Sequence, residues 1–338
     1  MAVNSKVGCM EESYIPKLTF LDKLEIIKGK KSFPLVFPIA MLVVLFILFS
    51  ITTSGRFLTS NVITGILNQS LIVGTMATAV SFIYSTGNID FSVGNAMGLA
   101  AVFGALTYQV THNMTLVIIV TLLSGLGLMM FNCILGVLFN VKGATVAIVA
   151  MSIYNALTIV LVGAQPLMFD NNELKSLVGG FKFISFALYF GLCLLLYHKT
   201  AIGRKLRFIG GNENCAKQTG ISSAKSQLIA FLFAGVGVGL AGVLQIIRTG
   251  NVAQSVGNGI GMDVMLATVL GGMSIFGGVK SNAYAGFIGA ITVTILNKGL
   301  LMLGVDATLI QGIRGLVFLA LVFLNSEYQK TLPSRSQF

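Results

Sequence analysis

Tryptophan is absent from this 338-residue chain, and charge is scarce: Asp, Glu, Lys and Arg together make up 10% of it. A soluble domain carries about 25% charged residues. So few charges cannot cover a water-facing surface, which excludes a soluble globular protein and makes lipid the solvent for the surplus apolar area. Four cysteines are present and no CxxC. Cys133 and Cys193 lie in apolar runs, Cys9 and Cys215 in polar segments, a distribution that excludes a disulfide framework and a cysteine metal site. With only two histidines, neither a His/Cys metal cluster nor a catalytic triad is on offer. A G-x-x-x-x-G-K-[ST] run is also missing. Gly29-Lys30-Lys31-Ser32 lacks the upstream glycine and the spacing, so no Walker loop is available to cradle ATP phosphates.

What the chain does have is apolar length. It is 55% hydrophobic with a mean hydropathy of +0.89. A bilayer core of about 30 Å needs roughly 20 helical residues per crossing. Candidate runs extend from Pro34 to Ile51, Val62 to Tyr84, Ser92 to Val110, Thr115 to Phe139, Ala144 to Val162 and Phe181 to Tyr197. After a polar loop come Leu228 to Ile247, Met262 to Phe276, Ala283 to Leu303 and Thr308 to Leu324. The third and eighth are rich in small residues, and the eighth is short. Broken segments of this kind line pathways in transporters, although small residues also serve close helix packing.

The excess of basic residues, +11 overall, sits in tails and short loops rather than in a patch of the kind that binds nucleic acid. Loops 85–91, 140–143, 198–227 and 277–282 hold Lys142, Lys280 and a dense set of Lys199, Arg204, Lys205, Arg207, Lys217 and Lys225. The other loops hold Asp170, Glu173, Lys175, Arg248 and Asp306. The positive-inside rule places the first group, and both termini, in the cytoplasm. Residues 1–33, with Glu11, Glu12, Asp22 and Glu25 before the first apolar run, read as a cytoplasmic tail with an amphipathic stretch from Phe20 to Ile27 rather than as a secretory signal. Residues 34–325 form the membrane domain and 326–338 a second cytoplasmic tail. The expectation is an all-α polytopic membrane bundle of about ten transmembrane helices. Ten divides into five plus five, and an odd number per half makes the halves inverted. Gly87-Asn88-Ile89-Asp90 opens the third run and Gly259-Ile260-Gly261-Met262-Asp263 the eighth, near opposite faces, as an inverted repeat requires.

Within loop 198–227, Asn212 is a good N-cap, Glu213 suits the positive end of a helix dipole, and Gly220 suits a C′ stop. They bracket a helix of about two turns, too short to be stable in water without a surface to pack on. That surface is either its own membrane domain or another protein. Asp90 is either a structural cap or gate, aided by Ser92 and with its charge at the aqueous edge, or a direct contact for the solute, and Asp263 poses the same choice. Asn68, Gln69, Asn95, Asn155, Gln245 and Asn297 carry the hydroxyl-matching groups within the spans, where polar side chains also bond helix to helix.

Gly87-Asn88-Ile89-Asp90-Phe91-Ser92-Val93-Gly94 resembles the Gly-Gly-Ile-Asp-Leu-Ser-Val-Gly motif of the ribose-type (monosaccharide) permeases of ABC importers, in the branched-chain amino acid/sugar permease superfamily. The run from Thr200 to Ile221 is similar to that family's segment in which Gly-Gly-Asn precedes a short coupling helix and a Gly-Ile pair. Asp263 through Leu270-Gly271-Gly272 to Gly277-Gly278 matches its Asp plus Gly-Gly pattern. Asn297-Lys298-Gly299-Leu300 resembles its Asn-Gly-Leu with one residue inserted, and Gln311 with Gly315 its Gln-x-x-x-Gly ending. Two stretches depart: residues 142–150 replace a proline-containing run ending in Thr-Leu-Gly, and Glu213 stands where proline is common.

The resemblance implies a non-catalytic transport subunit of the bacterial plasma membrane that moves a monosaccharide or related solute inward. It implies as partners a separate ATP-binding subunit, an extracytoplasmic solute-binding protein and a second permease chain. ATP would be bound by the partner, and no cofactor by this chain. Gly211, Asn212, Glu213, Ala216 and Gly220 would couple to the ATPase, and Asp90, Ser92, Asn95, Asn155, Gln245, Asp263 and Asn297 are candidates for the pathway or its gates. A nucleoside, autoinducer or branched-chain amino acid permease is the neighbouring alternative. An ion-gradient-driven carrier is the alternative from another class, and such a carrier has no use for a glycine-bracketed knob.

Overall fold

The computed structural model describes residues 33–139, 141–170, 180–274, 277–278 and 281–325. The two tails, Glu173, Lys175, Lys280 and the end of the eighth apolar run at Phe276 lie outside them. Twelve helices are described: α1 (Phe33–Thr52), α2 (Ser60–Ser85), α3 (Val93–Thr111), α4 (Met114–Leu138), α5 (Gly143–Val162), α6 (Phe181–Lys199), α7 (Ala201–Gly211), α8 (Glu213–Gln218), α9 (Ser223–Thr249), α10 (Ile260–Leu270), α11 (Ala285–Met302) and α12 (Ala307–Asn325). Six of them, α2, α3, α4, α5, α6 and α9, are long and apolar enough to cross a bilayer; the apolar stretches of α1, α10, α11 and α12 are shorter.

Local chemistry sets the helix ends. Asn113 caps α4 by accepting hydrogen bonds from the amides of Thr115 (2.9 Å) and Leu116 (3.4 Å). Asp306 caps α12 through the Thr308 amide at 2.7 Å, and Ser222 caps α9 through that of Lys225 at 3.4 Å. The eighth apolar run departs from expectation. Its helix, α10, stops at Leu270, where Gly271 and Gly272 (φ +88°) turn the chain. Eleven residues span about 16 Å at 1.5 Å per residue, about half of a bilayer core of roughly 30 Å. The third run is broken only before it begins: α3 is continuous from Val93 to Thr111.

The bundle centre is made by α2, α9 and α3, with α4, α5 and α6 turning most of their surface outward. The burial of α2 is possible although it carries Thr75, Thr78, Ser81 and Ser85. Each hydroxyl donates to the carbonyl four residues back, at 2.6 to 2.8 Å, and so needs no partner from water. One close backbone crossing joins α4 to α9. A Cβ on Gly125 would collide with the Gly239 amide nitrogen and lie 2.5 Å from its Cα, while one on Gly235 would lie 2.6 Å from the Cα of Leu126. Close backbone approach of this kind supplies dispersion contact where lipid offers no hydrophobic drive between helices. At the periphery α1 packs on α11, through Leu45 and Phe49 against Ile295 and Leu296.

Loops gather at two faces. At one, a Cβ on Gly143 would lie 3.4 Å from the Asn88 Oδ1, and the Gly278 amide donates to the Ser85 carbonyl at 3.2 Å. At the other, a two-residue antiparallel ribbon pairs Leu167 with Val252 and Met168 with Asn251. Gln254 Nε2 donates to the Gly163 carbonyl there at 2.6 Å, and Gln109 Nε2 to that of Met168 at 2.9 Å.

Candidate functional site

Two buried polar clusters stand where the chain is broken. After α2 ends at Ser85, Gly87 (φ +80°) turns the backbone toward Asp90. The Asp90 Oδ1 accepts from the Ser92 amide at 2.7 Å and from the Ser92 Oγ at 2.6 Å. From α4, Asn132 Nδ2 donates to the Ser92 Oγ (2.7 Å) and to the Asp90 Oδ2 (3.4 Å). From α5, Tyr154 Oη donates to the Asn132 Oδ1 at 2.7 Å and to the Leu128 carbonyl at 3.0 Å. Asp90 is 2% exposed, so it does not lie at the aqueous edge; it is buried inside the bundle, two residues before the Ser92 cap position of α3. Among the described residues only neutral donors hold it.

The second cluster repeats this plan with a different chemistry. Asp263, in the first turn of α10, accepts from Asn297 Nδ2 of α11 at 3.0 Å and pairs with Arg314 Nη1 of α12 at 3.1 Å. Arg314 Nε donates to the Asn297 Oδ1 at 2.8 Å, which closes a triangle. In each case an asparagine from the next apolar helix donates to an acid at a helix start; a residue from the helix after that bonds the asparagine and, in the second cluster, the acid as well. A carboxylate at a helix N-terminus also offsets the positive end of the dipole, typically by 0.3–1 kcal/mol.

The two helix starts meet. A Cβ on Gly94 would strike the Gly261 amide nitrogen and lie 3.0 Å from the Gly257 carbonyl oxygen; one on Gly98 would lie 3.0 Å from the Gly257 Cα. α3 and α10 therefore approach through their N-terminal turns, with no side chain between Gly94 and Gly261, and each brings its own acid. Broken helices meeting in this way form the binding region of many transporters.

The expected residues are distributed as follows. Asp90 and Ser92 form the first cluster, and Asp263 and Asn297 belong to the second. Asn95 is largely buried on α3 at the crossing, with the Gly257 Cβ position 3.0 Å from its Cα. Gln245 is buried on α9 and accepts from Arg248 Nη1 at 3.4 Å, and Asn68 accepts from Lys182 Nζ at 2.8 Å. Asn155 sits beside Tyr154 on α5, half-buried and outside the cluster. The Gln69 Oε1 is buried without a hydrogen-bond partner among the described residues. Sequence reasoning missed Asn132, Tyr154 and Arg314. For Arg314 there was a signal, since a lone cation inside an apolar span marks a paired acid.

Tyr154 gives the first prediction. Tyr154→Phe removes the donor to Asn132 without changing the ring, leaving a buried amide oxygen unpaired. Stability in detergent should fall by about 1–2 kcal/mol, read as a lower midpoint of thermal unfolding. An unchanged midpoint would remove Tyr154 from the cluster.

The short helix α8 stands away from these clusters, on the face shared by Ser85 and Gly278. The Asn212 Oδ1 accepts from the Cys215 amide at 3.1 Å, an N-cap as expected. At the other end Gly220 (φ +78°) donates to the Lys217 carbonyl at 3.1 Å and Ile221 to that of Ala216 at 3.0 Å, a complete Schellman stop. Glu213 pairs with Lys217 at 3.0 Å, and hydrogen bonds from Lys217 and Ser223 hold its carboxyl below the usual carboxylate range. Ala216 differs from its neighbours: it is 0% exposed and faces its own chain. It seats α8 rather than offering it, and the free face is made by Glu213, Asn214, Lys217 and Gln218.

A family model described as branched-chain amino acid transport system / permease component matches residues 62–322. The probable ABC transporter permease protein YphD of Escherichia coli is 26% identical over 294 residues, 85% of this chain and 88% of its own. The ribose import permease protein of Escherichia coli is 27% identical over 301 residues, 85% and 93% respectively. The autoinducer 2 import system permease protein LsrC of Yersinia enterocolitica is 29% identical over 266 residues, 77% and 73%. No solved structure gives a significant match.

Proposed function

This chain belongs to the branched-chain amino acid transport system / permease component family, and from that premise we propose that it is the membrane-spanning permease of an ATP-driven importer for a monosaccharide or sugar-like solute. It works with a separate ATP-binding subunit, a solute-binding protein outside and a second permease chain, in a bacterial inner membrane with both termini cytoplasmic. The relatives' roles in ribose import and autoinducer 2 import support a small polyhydroxylated solute. A five-plus-five inverted repeat is part of this proposal, supported by the matched order of the two clusters: third, fourth and fifth apolar helices in one, eighth, ninth and tenth in the other.

The observation that carries the reading is α8. A six-residue helix capped at both ends, seated by one buried alanine and presenting a polar face, is a rigid knob on a loop rich in basic residues. So short a helix is not stable by itself. It is held ready for a partner groove. Closure of an ATPase pair around such knobs would change the relative stability of inward-open and outward-open states, which is what coupling requires.

The test is co-purification in detergent from the native host, comparing wild type with Glu213→Lys and Gln218→Arg, both on the free face of α8. The expected result is an ATP-hydrolysing subunit that accompanies the wild type and is lost from both variants while they remain monodisperse. If none accompanies the wild type, and the reconstituted chain alone moves D-ribose with an ion gradient, the protein is a secondary carrier.

A further inference from the structure

The knob touches the membrane domain at an unusual place. α7, which leads into α8, ends in Gly210 and Gly211. A Cβ on Gly210 would collide with the Ser85 carbonyl oxygen and lie 2.6 Å from the Gly278 amide nitrogen. A Cβ on Gly277 (φ +73°) would lie 2.6 Å from the Gly87 nitrogen and 2.7 Å from the Tyr84 carbonyl oxygen. The Gly278 amide in turn donates to the Ser85 carbonyl at 3.2 Å. Three chain segments thus meet backbone to backbone: the base of the knob, the break that leads to Asp90 and α3, and the stretch that follows α10. Tyr197 pins the same spot from α6. Its hydroxyl and the Ser85 Oγ are 2.5 Å apart, and its ring carries the Arg207 guanidinium of α7 at 5.3 Å.

We propose that this glycine junction, Gly210 against Ser85, Gly277 and Gly278, delivers movement of the knob to both broken segments at once. The inference rests on the reading of α8 as an ATPase dock, and it names the positioning residues through which that dock acts. A side chain between two elements can change rotamer and absorb a displacement; packed backbone cannot, and interiors this dense transmit strain. From Ser85 the chain runs through Gly87 to Asp90 and the start of α3. From Gly278 it runs back through Gly272 to α10. Those two helices abut at Gly94 and Gly261. Asp90 fastens the start of α3 to α4 and, through Asn132, to α5, and Asp263 fastens α10 to α11 and α12, so a shift at the junction loads the crossing from both sides.

Gly127 supplies a control. It is exposed on α4, away from the knob, and a Cβ there meets nothing within 4 Å. The complex with its ATP-hydrolysing subunit is purified in detergent, with Cys9→Ser, Cys215→Ser and a reporter at Asn258→Cys, an exposed position before α10. Maleimide labelling is followed with and without ATP plus vanadate. In the wild-type background and in Gly127→Ala, nucleotide should change the labelling rate at least about threefold. Gly210→Ala should retain the ATPase subunit and lose the change. A full nucleotide response in Gly210→Ala, or equal loss in Gly127→Ala, overturns the proposal. Release of the ATPase subunit by Gly210→Ala also overturns it, because Gly210 would then belong to the docking surface. Should Gly210→Ala not assemble, Tyr197→Phe, which deletes one oxygen at the junction, carries the test: an undiminished response sinks the idea. Retention of the subunit by Glu213→Lys would instead defeat the docking reading itself.

Discussion

Arg314→Ala should destabilise the protein by about 3–5 kcal/mol, the usual cost of stranding one partner of a buried ion pair. Asp263 is 4% exposed and its carboxylate meets Asn297 and Arg314, of which Arg314 is the one that carries charge. Removing the guanidinium leaves the carboxylate without neutralisation in an apolar bundle, and it frees the Asn297 Oδ1 as well. The loss should therefore be recoverable by changing the acid rather than by restoring the base. Adding Asp263→Asn to Arg314→Ala should return most of the stability, whereas Asp263→Asn alone should be costly because it strands the arginine. The first cluster behaves differently. Asp90 has no cation among the described residues, so Asp90→Asn preserves shape and removes the expense of a buried charge. Its effect on thermal unfolding in detergent should be much smaller than that of Asp263→Asn. Equal effects at the two acids, or an Arg314→Ala protein as stable as wild type, would refute the charge assignment.

This contrast also marks how far the sequence could be read. The apolar runs were legible because lipid imposes one long-wavelength signal, hydropathy over about 20 residues. The starts of α4, α5 and α6 fall within a residue of the runs that predict them. The ends of α8 were legible for another reason: Asn212 and Gly220 act on backbone groups within a few residues, and local rules suffice. What could not be read depends on tertiary placement. Asp90 meets Asn132 and, through it, Tyr154 across 42 and then 22 residues of sequence, and although Asn132 is the one amide in the run of α4, nothing local says which acid it meets. Ala216 looked like part of the knob's surface because six residues show no periodicity from which a buried face could be inferred. The end of α10 was overextended to Phe276 because Met273 and Ile275 keep the run apolar past the glycines that turn it. Hydropathy measures solvent preference and is blind to a backbone that bends inside the same solvent.

Those glycines divide into positions that must stay bare and positions that need not, and the difference predicts the other large effect. Gly125→Val should cost about 3 kcal/mol or more, at the upper end of overpacking penalties. The new Cβ would lie against the Gly239 nitrogen and 2.5 Å from its Cα, and 3.0 Å from the Gly235 carbonyl oxygen. All three are backbone atoms of α9, so no rotamer change can make room. The helices must separate, and α4 then loses its closest contact with the centre of the bundle. Separation would also draw Asn132, about two turns further along the same face of α4, away from Ser92 and Asp90. Gly127 is two residues away on the same helix, exposed, with nothing within 4 Å of its Cβ position. Gly127→Ala should be neutral or stabilising by up to about 1 kcal/mol, the helix-propensity gain of alanine over glycine. Thermal unfolding of both variants in one detergent decides the matter. A mild Gly125→Val would mean that α4 and α9 are not in backbone contact, and the anchoring of the first cluster on α4 would need another explanation.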